Sequence, residues 1–298
     1  MNPKALKEAY DRGENITELL RQELDSEQNT EEIIETAYDL QTGSYVRALD
    51  SPEMLTHKQE YGAAIAAEIS RLTTATSILE PGVGEGTTLS FVARGFDTAP
   101  QHLHGFDISW SRIAVCREWL SSQNCAATWL SVASIFNTPY LDNSFDVVYT
   151  SHTIEPNGGR EPEILSELYR IASRFLILFE PGYELADDEA KARMERLGYC
   201  RGLVQHAEAL GMKVDRHELF TPTANPKNPT AITVIAKDPS AETVSPKIAC
   251  PRYLTELNEL PDALYSADSF RAYPKIKGVP CLRPEDGIIA SRFNEIEV

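Results

Sequence analysis

The segment from Ser77 to Ala93 constrains the fold of this chain more than any other, because it joins an apolar strand to a helix through a glycine-rich turn. Its sequence is SILEPGVGEGTTLSFVA, with Gly82, Gly84 and Gly86 at alternate positions. Glycines at such a turn let a ligand approach the backbone closely and aim the helix N-terminus at it. The segment predicts a nucleotide-type cofactor at this turn, although a tight turn without a ligand would carry similar glycines.

Short β-rich runs alternate with helical patterns from Thr76 to Asp238. Strands that alternate with helices of about 10 to 15 residues predict an α/β fold, a parallel sheet with helices on both faces. The clearest helical pattern covers 162–174 and has Pro162 in its first turn. The last two runs, MKVDRHELF and AITVIAKD, are joined by a loop rich in proline and asparagine, which predicts a hairpin at the sheet edge.

Changes in composition divide the chain into three predicted parts. Residues 1–70 are acidic and helical in pattern, 71–240 carry the alternating strands and helices, and 246–298 form a tail with its own turn residues. We therefore expect a helical lead-in or lid, a cofactor-binding catalytic domain and a small C-terminal appendage.

Charge and composition exclude several classes of protein. The 298 residues include 28 Lys and Arg against 45 Asp and Glu, a formal net charge of −17, which disfavours a protein that grips bare nucleic acid. The sequence has no long apolar stretch and no signal-peptide pattern. Five widely spaced cysteines without a CxxC pair indicate neither a disulfide framework nor an intact zinc site. We expect a soluble cytoplasmic protein with no membrane partner.

The spacing of the glycines and the neighbouring acids separate the candidate cofactors. Dinucleotide folds seat a pyrophosphate with GxGxxG, whereas the glycines here read GxGxG. A carboxylate at Glu80 would repel a pyrophosphate and attract the ammonium group of S-adenosylmethionine. The next strand ends in Asp107, where an acid can hold both ribose hydroxyls of either cofactor, or simply precede a helix. The combination favours S-adenosylmethionine over a nicotinamide cofactor.

The chain resembles the class I S-adenosylmethionine-dependent methyltransferases from about Tyr38 to Asp238. EPGVGEG is similar to the family's first motif, FDIS to its second, and NTPYLDNSFDVVYTSHTIEP to its adenine-side loop and fourth strand. FLILFEPG resembles the fifth strand, and the terminal hairpin the sixth and seventh. The resemblance implies a seven-stranded, mostly parallel Rossmann-like sheet, with S-adenosylmethionine as cofactor and S-adenosylhomocysteine as its product.

The resemblance also implies a set of cofactor-binding residues. The family often has an Asp shortly before the Pro-aromatic pair that holds the adenine amino group, and Ser134 stands there in this chain. We therefore expect the Ser134 hydroxyl and the backbone of Ile135 to hold the adenine. The full predicted set is Tyr38, Glu80, Gly82, Gly84, Gly86, Asp107, Ile108, Ser134, Ile135 and Ser151.

The loops after the fourth and fifth strands supply the candidate acceptor residues. His152 is the predicted general base, because an imidazole titrates near neutral pH, and a histidine that packs on the cofactor without chemistry is an equal alternative. Glu155 is the second predicted catalytic residue. The predicted substrate residues are Tyr45, Asn157, Arg160 and Glu180. A sulfonium needs no metal for activation, so no metal site is predicted.

The tail is similar to a small zinc-ribbon-like domain that activates several tRNA, rRNA and translation-factor methyltransferases. In that family a Cys-Pro-x-Cys begins the domain, but Cys250-Pro251 is followed by Tyr253 where the second Cys would stand. Since structural zinc needs four ligands, we predict a metal-free appendage on the catalytic domain.

Together these observations predict an enzyme that methylates a hydroxyl of a small polar or sugar-like acceptor. The preference for this acceptor rests on the acidic chain and on carboxyl and amide groups near the predicted site. The alternatives are a macromolecule (tRNA or protein) methyltransferase with a fused activator, and a non-catalytic cofactor-binding scaffold. The sequence leaves the oligomeric state open, with a homodimer among the options.

Overall fold

The computed structural model describes residues 2–125, 127–238 and 245–295. In these ranges, no helix has the length and apolar character needed to cross a membrane.

The lead-in is helical, and polar side chains begin most of its helices. Asn2, Asn15, Thr30 and Ser51 each accept a hydrogen bond from a backbone N–H in the first turn that follows, which is the usual way to satisfy a free helix end. The helices are α1 (Pro3–Asp11), α2 (Ile16–Glu23), α3 (Glu31–Leu40), α4 (Ser44–Ala48) and α5 (Pro52–Leu72).

A seven-stranded sheet forms the centre of the molecule, in the order β3-β2-β1-β4-β5-β7-β6. Its pairs are parallel except that β7 runs antiparallel to both neighbours, which confirms the predicted mostly parallel sheet with a hairpin at its edge. The strands are β1 (Ser77–Pro81), β2 (His102–Asp107), β3 (Trp129–Val132), β4 (Phe145–Ser151), β5 (Ala172–Pro181), β6 (Lys213–Leu219) and β7 (Thr230–Ala236).

Buried apolar side chains on both faces of the sheet hold the helices against it. One cluster includes Ile65 of α5 and Ile113, and the other includes Leu165 and Leu168, all fully buried. The remaining helices are α6 (Thr87–Arg94), α7 (Trp110–Ser122), α8 (Glu161–Ile171), α9 (Asp188–Leu197) and α10 (Leu203–Ala209).

The helix predicted over 162–174 ends earlier than expected. In the structure α8 stops at Ile171, and Ala172 already pairs with Phe145 of β4. Sheet pairing overrides the helical pattern of these residues, because a strand that reaches the sheet satisfies its backbone groups there.

The tail folds as a small sheet of antiparallel pairs that lies against the edge strand β3. Its strands are β8 (Asn258–Glu259), β9 (Ala263–Ser266), β10 (Arg271–Ile276), β11 (Val279–Pro280) and β12 (Ile288–Ile289). The N–H of Leu282 donates to the carbonyl of Val132 at 2.8 Å. The tail therefore covers part of an edge that would otherwise present unpaired backbone groups.

The sheet order places a crevice at the carboxyl ends of β1 and its two neighbours. β1 pairs with β2 on one side and with β4 on the other. Chain connections leave in opposite directions at such a point, and ligands of open α/β sheets bind there.

Candidate active site

The glycine turn after β1 has a backbone that only glycine adopts readily. Gly82 and Gly84 have φ of +63° and +55°, in the left-handed region. A Cβ on Gly82 would lie 2.2 Å from Cγ2 of Thr153. The turn is thus held close to the chain after β4, and its bare backbone faces a cavity of about 320 Å³, here called the glycine-turn cavity.

Glu80 lies at the end of β1 with its side chain 2 % exposed. The hydroxyl of Tyr149 donates to its Oε2 at 2.6 Å. Burial raises the pKa of the Glu80 carboxyl to about 8, although the Tyr149 hydrogen bond and the charge of Lys58 lower it. A cation in the cavity would favour the ionised form, so this carboxyl fits an ammonium group.

Asp107 ends β2 and is held by backbone donors on both sides. The N–H of Gly84 donates to Oδ2 at 3.0 Å, and that of Ser109 donates to Oδ1 at 2.9 Å. Burial raises the pKa of Asp107, opposed by Arg112 and these N–H groups. The carboxylate lines the glycine-turn cavity and keeps lone pairs that can accept from a diol.

The lead-in covers the glycine turn through contacts that the sequence did not predict. The Glu85 carboxylate accepts from the N–H of Gly43 and of Val46, both at 2.8 Å, at the start of α4. The Arg112 guanidinium lies 4.7 Å from the ring centroids of both Tyr38 and Tyr45. These contacts fix α3 and α4 over the cavity.

An acid on α3 reaches the place where Ser134 replaces the expected Asp. The Ser134 hydroxyl donates to Oε1 of Glu31, and it accepts from the N–H of Phe136 at 3.1 Å. Glu31 and Ile135 line the glycine-turn cavity, whereas Ser134 lies behind them. The lead-in thus brings a carboxylate to this position, which local sequence spacing could not indicate.

His152 and Glu155 form a hydrogen-bonded pair just after β4. His152 Nδ1 lies 2.5 Å from Glu155 Oε2, and Nε2 lies 2.9 Å from Oγ1 of Thr230. Burial lowers the pKa of His152, but the hydrogen bond and charge of Glu155 outweigh it, so its pKa is raised. The Glu155 pKa is lowered, because His152, Tyr199 and Asn228 together outweigh its burial. His152 has φ of +54°, a strained conformation that is common at functional sites.

Glu180 supports this loop from below. Its carboxylate accepts from the N–H groups of Thr153, Ile154 and Glu155 at 2.9, 3.1 and 3.0 Å. Its side chain is 1 % exposed and faces neither cavity of the site. The structure thus places Glu180, a predicted substrate residue, outside the cavities, where its oxygens hold the backbone that follows His152.

A second cavity of about 480 Å³ adjoins the first and is bounded by α4, α5 and the 222–230 loop. We call it the loop cavity. The residues that line both cavities are Tyr45, Lys58, His152 and Asn228. A group that passes between the cavities would therefore pass His152.

Most of the predicted site residues face these cavities. Those lining the glycine-turn cavity are Tyr38, Tyr45, Glu80, Gly82, Gly84, Asp107, Ile108, Ile135, Ser151, His152, Glu155 and Asn157. Gly86, Ser134, Arg160 and Glu180 do not line either one.

Two of these four residues have other local roles. Gly86 precedes α6, and a Cβ there would lie 2.7 Å from Sγ of Cys116. The Arg160 guanidinium pairs with Glu163 at 2.7 Å and lies 3.5 Å from the ring centroid of Phe136. In the described part of the chain, no group of three or more His, Cys, Asp or Glu side chains is arranged to hold a metal.

Comparison with known families identifies the central region. Residues 78–174 match the family model described as a methyltransferase domain. This region is a methyltransferase domain. A methyltransferase domain implies S-adenosylmethionine as cofactor, and the glycine cradle and the acids at Glu80 and Asp107 fit that cofactor.

One solved structure has the same fold over most of this chain. Magnesium protoporphyrin IX methyltransferase from Synechocystis PCC 6803 with bound S-adenosylhomocysteine is 14% identical, with a TM-score of 0.53 over 70% of this chain and 99% of that one. A methyltransferase from Aquifex aeolicus is 17% identical, with a TM-score of 0.48 over 65% and 97% of the two chains. No curated protein matches the sequence.

Proposed function

We propose that the chain transfers the methyl group of S-adenosylmethionine to a hydroxyl of a small polar acceptor. The observation that carries this proposal is the His152–Glu155 pair at the junction of the two cavities. One cavity has the acids and glycines that suit the cofactor, and the other has room of about 480 Å³ for an acceptor.

The residues of the glycine-turn cavity would orient the cofactor. Glu80 takes the ammonium group, Asp107 the ribose hydroxyls, and Ile135 with Glu31 the adenine side. Bound there, S-adenosylmethionine supplies an electrophilic methyl group on a sulfonium. Tyr38 and Tyr45, held by Arg112, exclude water from above.

His152 would remove the acceptor proton. His152 Nδ1–H donates to Glu155, so Nε2 is free to accept the hydrogen bond of the Thr230 hydroxyl. Thr230 can then pass its proton to Nε2 while its Oγ1 takes the proton of the acceptor hydroxyl. The acceptor oxygen would receive the methyl group that bound S-adenosylmethionine supplies, and S-adenosylhomocysteine would remain in the glycine-turn cavity. The proton rests on His152, where Glu155 stabilises the imidazolium.

Calorimetric titration tests the cofactor half of this proposal. The protein is titrated with S-adenosylmethionine, S-adenosylhomocysteine and NAD, and so are Asp107→Asn and the exposed control Asp97→Asn. We expect micromolar binding of the first two ligands, retained in the control and weakened at least about tenfold in Asp107→Asn. Binding of NAD alone, or of none of the three, would refute the proposal.

Transfer of labelled methyl groups tests the chemical half. Hydroxylated small molecules are screened with the wild-type protein, and active acceptors are retested with His152→Gln. We expect the rate to fall by about 10² to 10⁴, with the S-adenosylhomocysteine affinity retained. An unchanged rate would show that His152 only packs against the cofactor.

A further inference from the structure

The two cavities differ in charge. The carboxylates of the glycine-turn cavity are Glu31, Glu80, Glu85, Asp107 and Glu155. Among the described residues, the loop cavity is lined by no Asp or Glu, although the chain has 45 of them. The acids thus gather where a cationic cofactor is expected and are absent from the neighbouring cavity.

Lys58 of α5 is the one Lys or Arg among the described residues that line the loop cavity. Its Nζ donates to Oγ1 of Thr88 at 3.2 Å and lies 5.5 Å from the ring centroid of Tyr61. Within the described ranges, no carboxylate oxygen lies within 4 Å of Nζ. Burial lowers its pKa, although the charge of Glu80 raises it. A partly buried ammonium with no carboxylate in direct contact would gain from an anion placed beside it.

The cofactor has another cation available on its own side. Arg112 lines the glycine-turn cavity, and its Nη2 is buried without a hydrogen-bond partner. The loop cavity has no second Lys or Arg among its described lining residues. Lys58 is therefore the cation that an acceptor would meet.

Asn228 adds a polar acceptor without a partner to the lining of the loop cavity. Oδ1 of Asn228 is buried and without a partner, while its Nδ2 donates to Oε2 of Glu155 at 3.3 Å. Met54 and Leu49 form an apolar wall of the same cavity. A ligand that matches Lys58, this apolar wall and the Thr230–His152 pair carries an anion, a carbon body and a hydroxyl.

We propose that the acceptor is a hydroxylated carboxylic acid, with its carboxylate on Lys58 and its reacting hydroxyl on the Thr230 hydroxyl beside His152. This inference rests on the proposed function and defines its substrate class. It narrows the small polar or sugar-like acceptor expected from the sequence to an anionic one, because a lysine and no carboxylate lines the described part of the loop cavity.

Nuclear magnetic resonance of methionine methyl groups tests the proposal without a known substrate. Met54 lines the loop cavity, whereas Met194 and Met212 are buried elsewhere and report non-specific effects. The full-length protein, labelled with ¹³C at the methionine methyls and saturated with S-adenosylhomocysteine, is titrated with 3-hydroxypropanoate and separately with its neutral amide. We expect the acid to shift Met54 at a concentration about tenfold lower than the amide requires.

Variants of Lys58 test whether its charge causes the preference for the acid over the amide. Lys58→Met should abolish the preference for the acid, Lys58→Arg should retain it, and the exposed control Lys4→Met should behave as wild type. Equal titrations with acid and amide, or no shift of Met54 with either, would overturn the proposal.

A further outcome would show that Lys58 binds the cofactor rather than the acceptor. In this outcome, Lys58→Met weakens binding of S-adenosylhomocysteine but not of decarboxylated S-adenosylmethionine, and the protein still prefers the acid to the amide. The lysine would then bind the carboxylate of the cofactor's methionine part, and the proposal would be wrong. Failure of the wild-type protein to bind S-adenosylhomocysteine would refute the proposed function, and this inference with it.

Discussion

Three glutamates of the candidate site have different roles because their hydrogen-bond partners differ. Glu80 faces a cavity and has Tyr149 as its donor, Glu155 pairs with His152, and Glu180 is consumed by three backbone N–H groups. Glu80 is thus suited to bind a cation, Glu155 to orient the base His152, and Glu180 to hold a loop in place. Two predictions belong to this scale.

Glu80→Gln is expected to stabilise the cofactor-free protein while weakening cofactor binding. A folded-state pKa of about 8, above the ordinary 4.5, means that stability is lost as the pH rises from about 4.5 through 8. The amide removes this cost and still accepts from Tyr149. The free energy of unfolding should rise by up to about 4 kcal/mol at pH 8 and change little near pH 4.5.

Urea denaturation at the two pH values checks this expectation, with the exposed Glu60→Gln as control. Destabilisation of Glu80→Gln by the same amount at both pH values would contradict it.

Glu155→Gln is expected to lower the pKa of His152. In the wild-type protein this pKa is raised above 6.5 by the hydrogen bond and charge of Glu155, against burial. The contribution of the protonated pair to stability is fully present below pH 6.5 and is lost as the pH rises through the raised value. The histidine ring resonances, assigned with His152→Gln, should titrate at lower pH in Glu155→Gln. An unmoved titration would mean that the pair is not ionised.

At the scale of elements, the site depends on how the short helix α4 is held. Gly43 directly precedes α4 and has no side chain to cap the helix, so the Glu85 carboxylate of the glycine turn accepts from the N–H groups at this end. An acceptor on one element thus completes the end of another. The helical lead-in was predictable from its periodicity, but its attachment to the turn was not, because periodicity describes only the face of a single element.

Glu85→Ala is expected to loosen the lid formed by α3 and α4. The change leaves two N–H groups without their acceptor, at a cost of about 1 to 3 kcal/mol for the closed arrangement. Hydrogen exchange at 43–48 should accelerate, and S-adenosylhomocysteine should bind about tenfold more weakly. Glu85→Gln keeps one acceptor oxygen, so its exchange rates and its affinity should lie between those of the wild-type protein and Glu85→Ala. Unchanged exchange in Glu85→Ala would show that α4 is held by its other contacts.

At the scale of the whole molecule, the tail and the lead-in each contact the central α/β region, and they also contact each other. Arg283 of the tail pairs with Glu35 of α3 at 2.5 Å and with Asp286 at 3.2 Å. Trp129 of β3 packs against both the core of the tail and a core of the main sheet. We expect the tail and the sheet to unfold together.

Leu282→Ala tests this cooperation. Leu282 is fully buried in the core of the tail, so its truncation should cost about 2 to 5 kcal/mol. Ile289→Ala is the matched control, since Ile289 is 70% exposed and should change stability by less than about 0.5 kcal/mol. Trp fluorescence and circular dichroism should report one coincident transition in urea. Two separate transitions would show that the tail unfolds alone.

The sequence by itself determined the glycine turn, the acids at Glu80 and Asp107, and the alternation of strands and helices. These are local features, since residues that are close in sequence determine a strand, a turn or the start of a helix. Only the tertiary structure decided which side chains meet in the site. Glu31 reaches Ser134 from 103 positions away, and Lys58 reaches the junction from a helix whose pattern marks it as one more surface lysine. Such contacts depend on packing between elements, which no local period records.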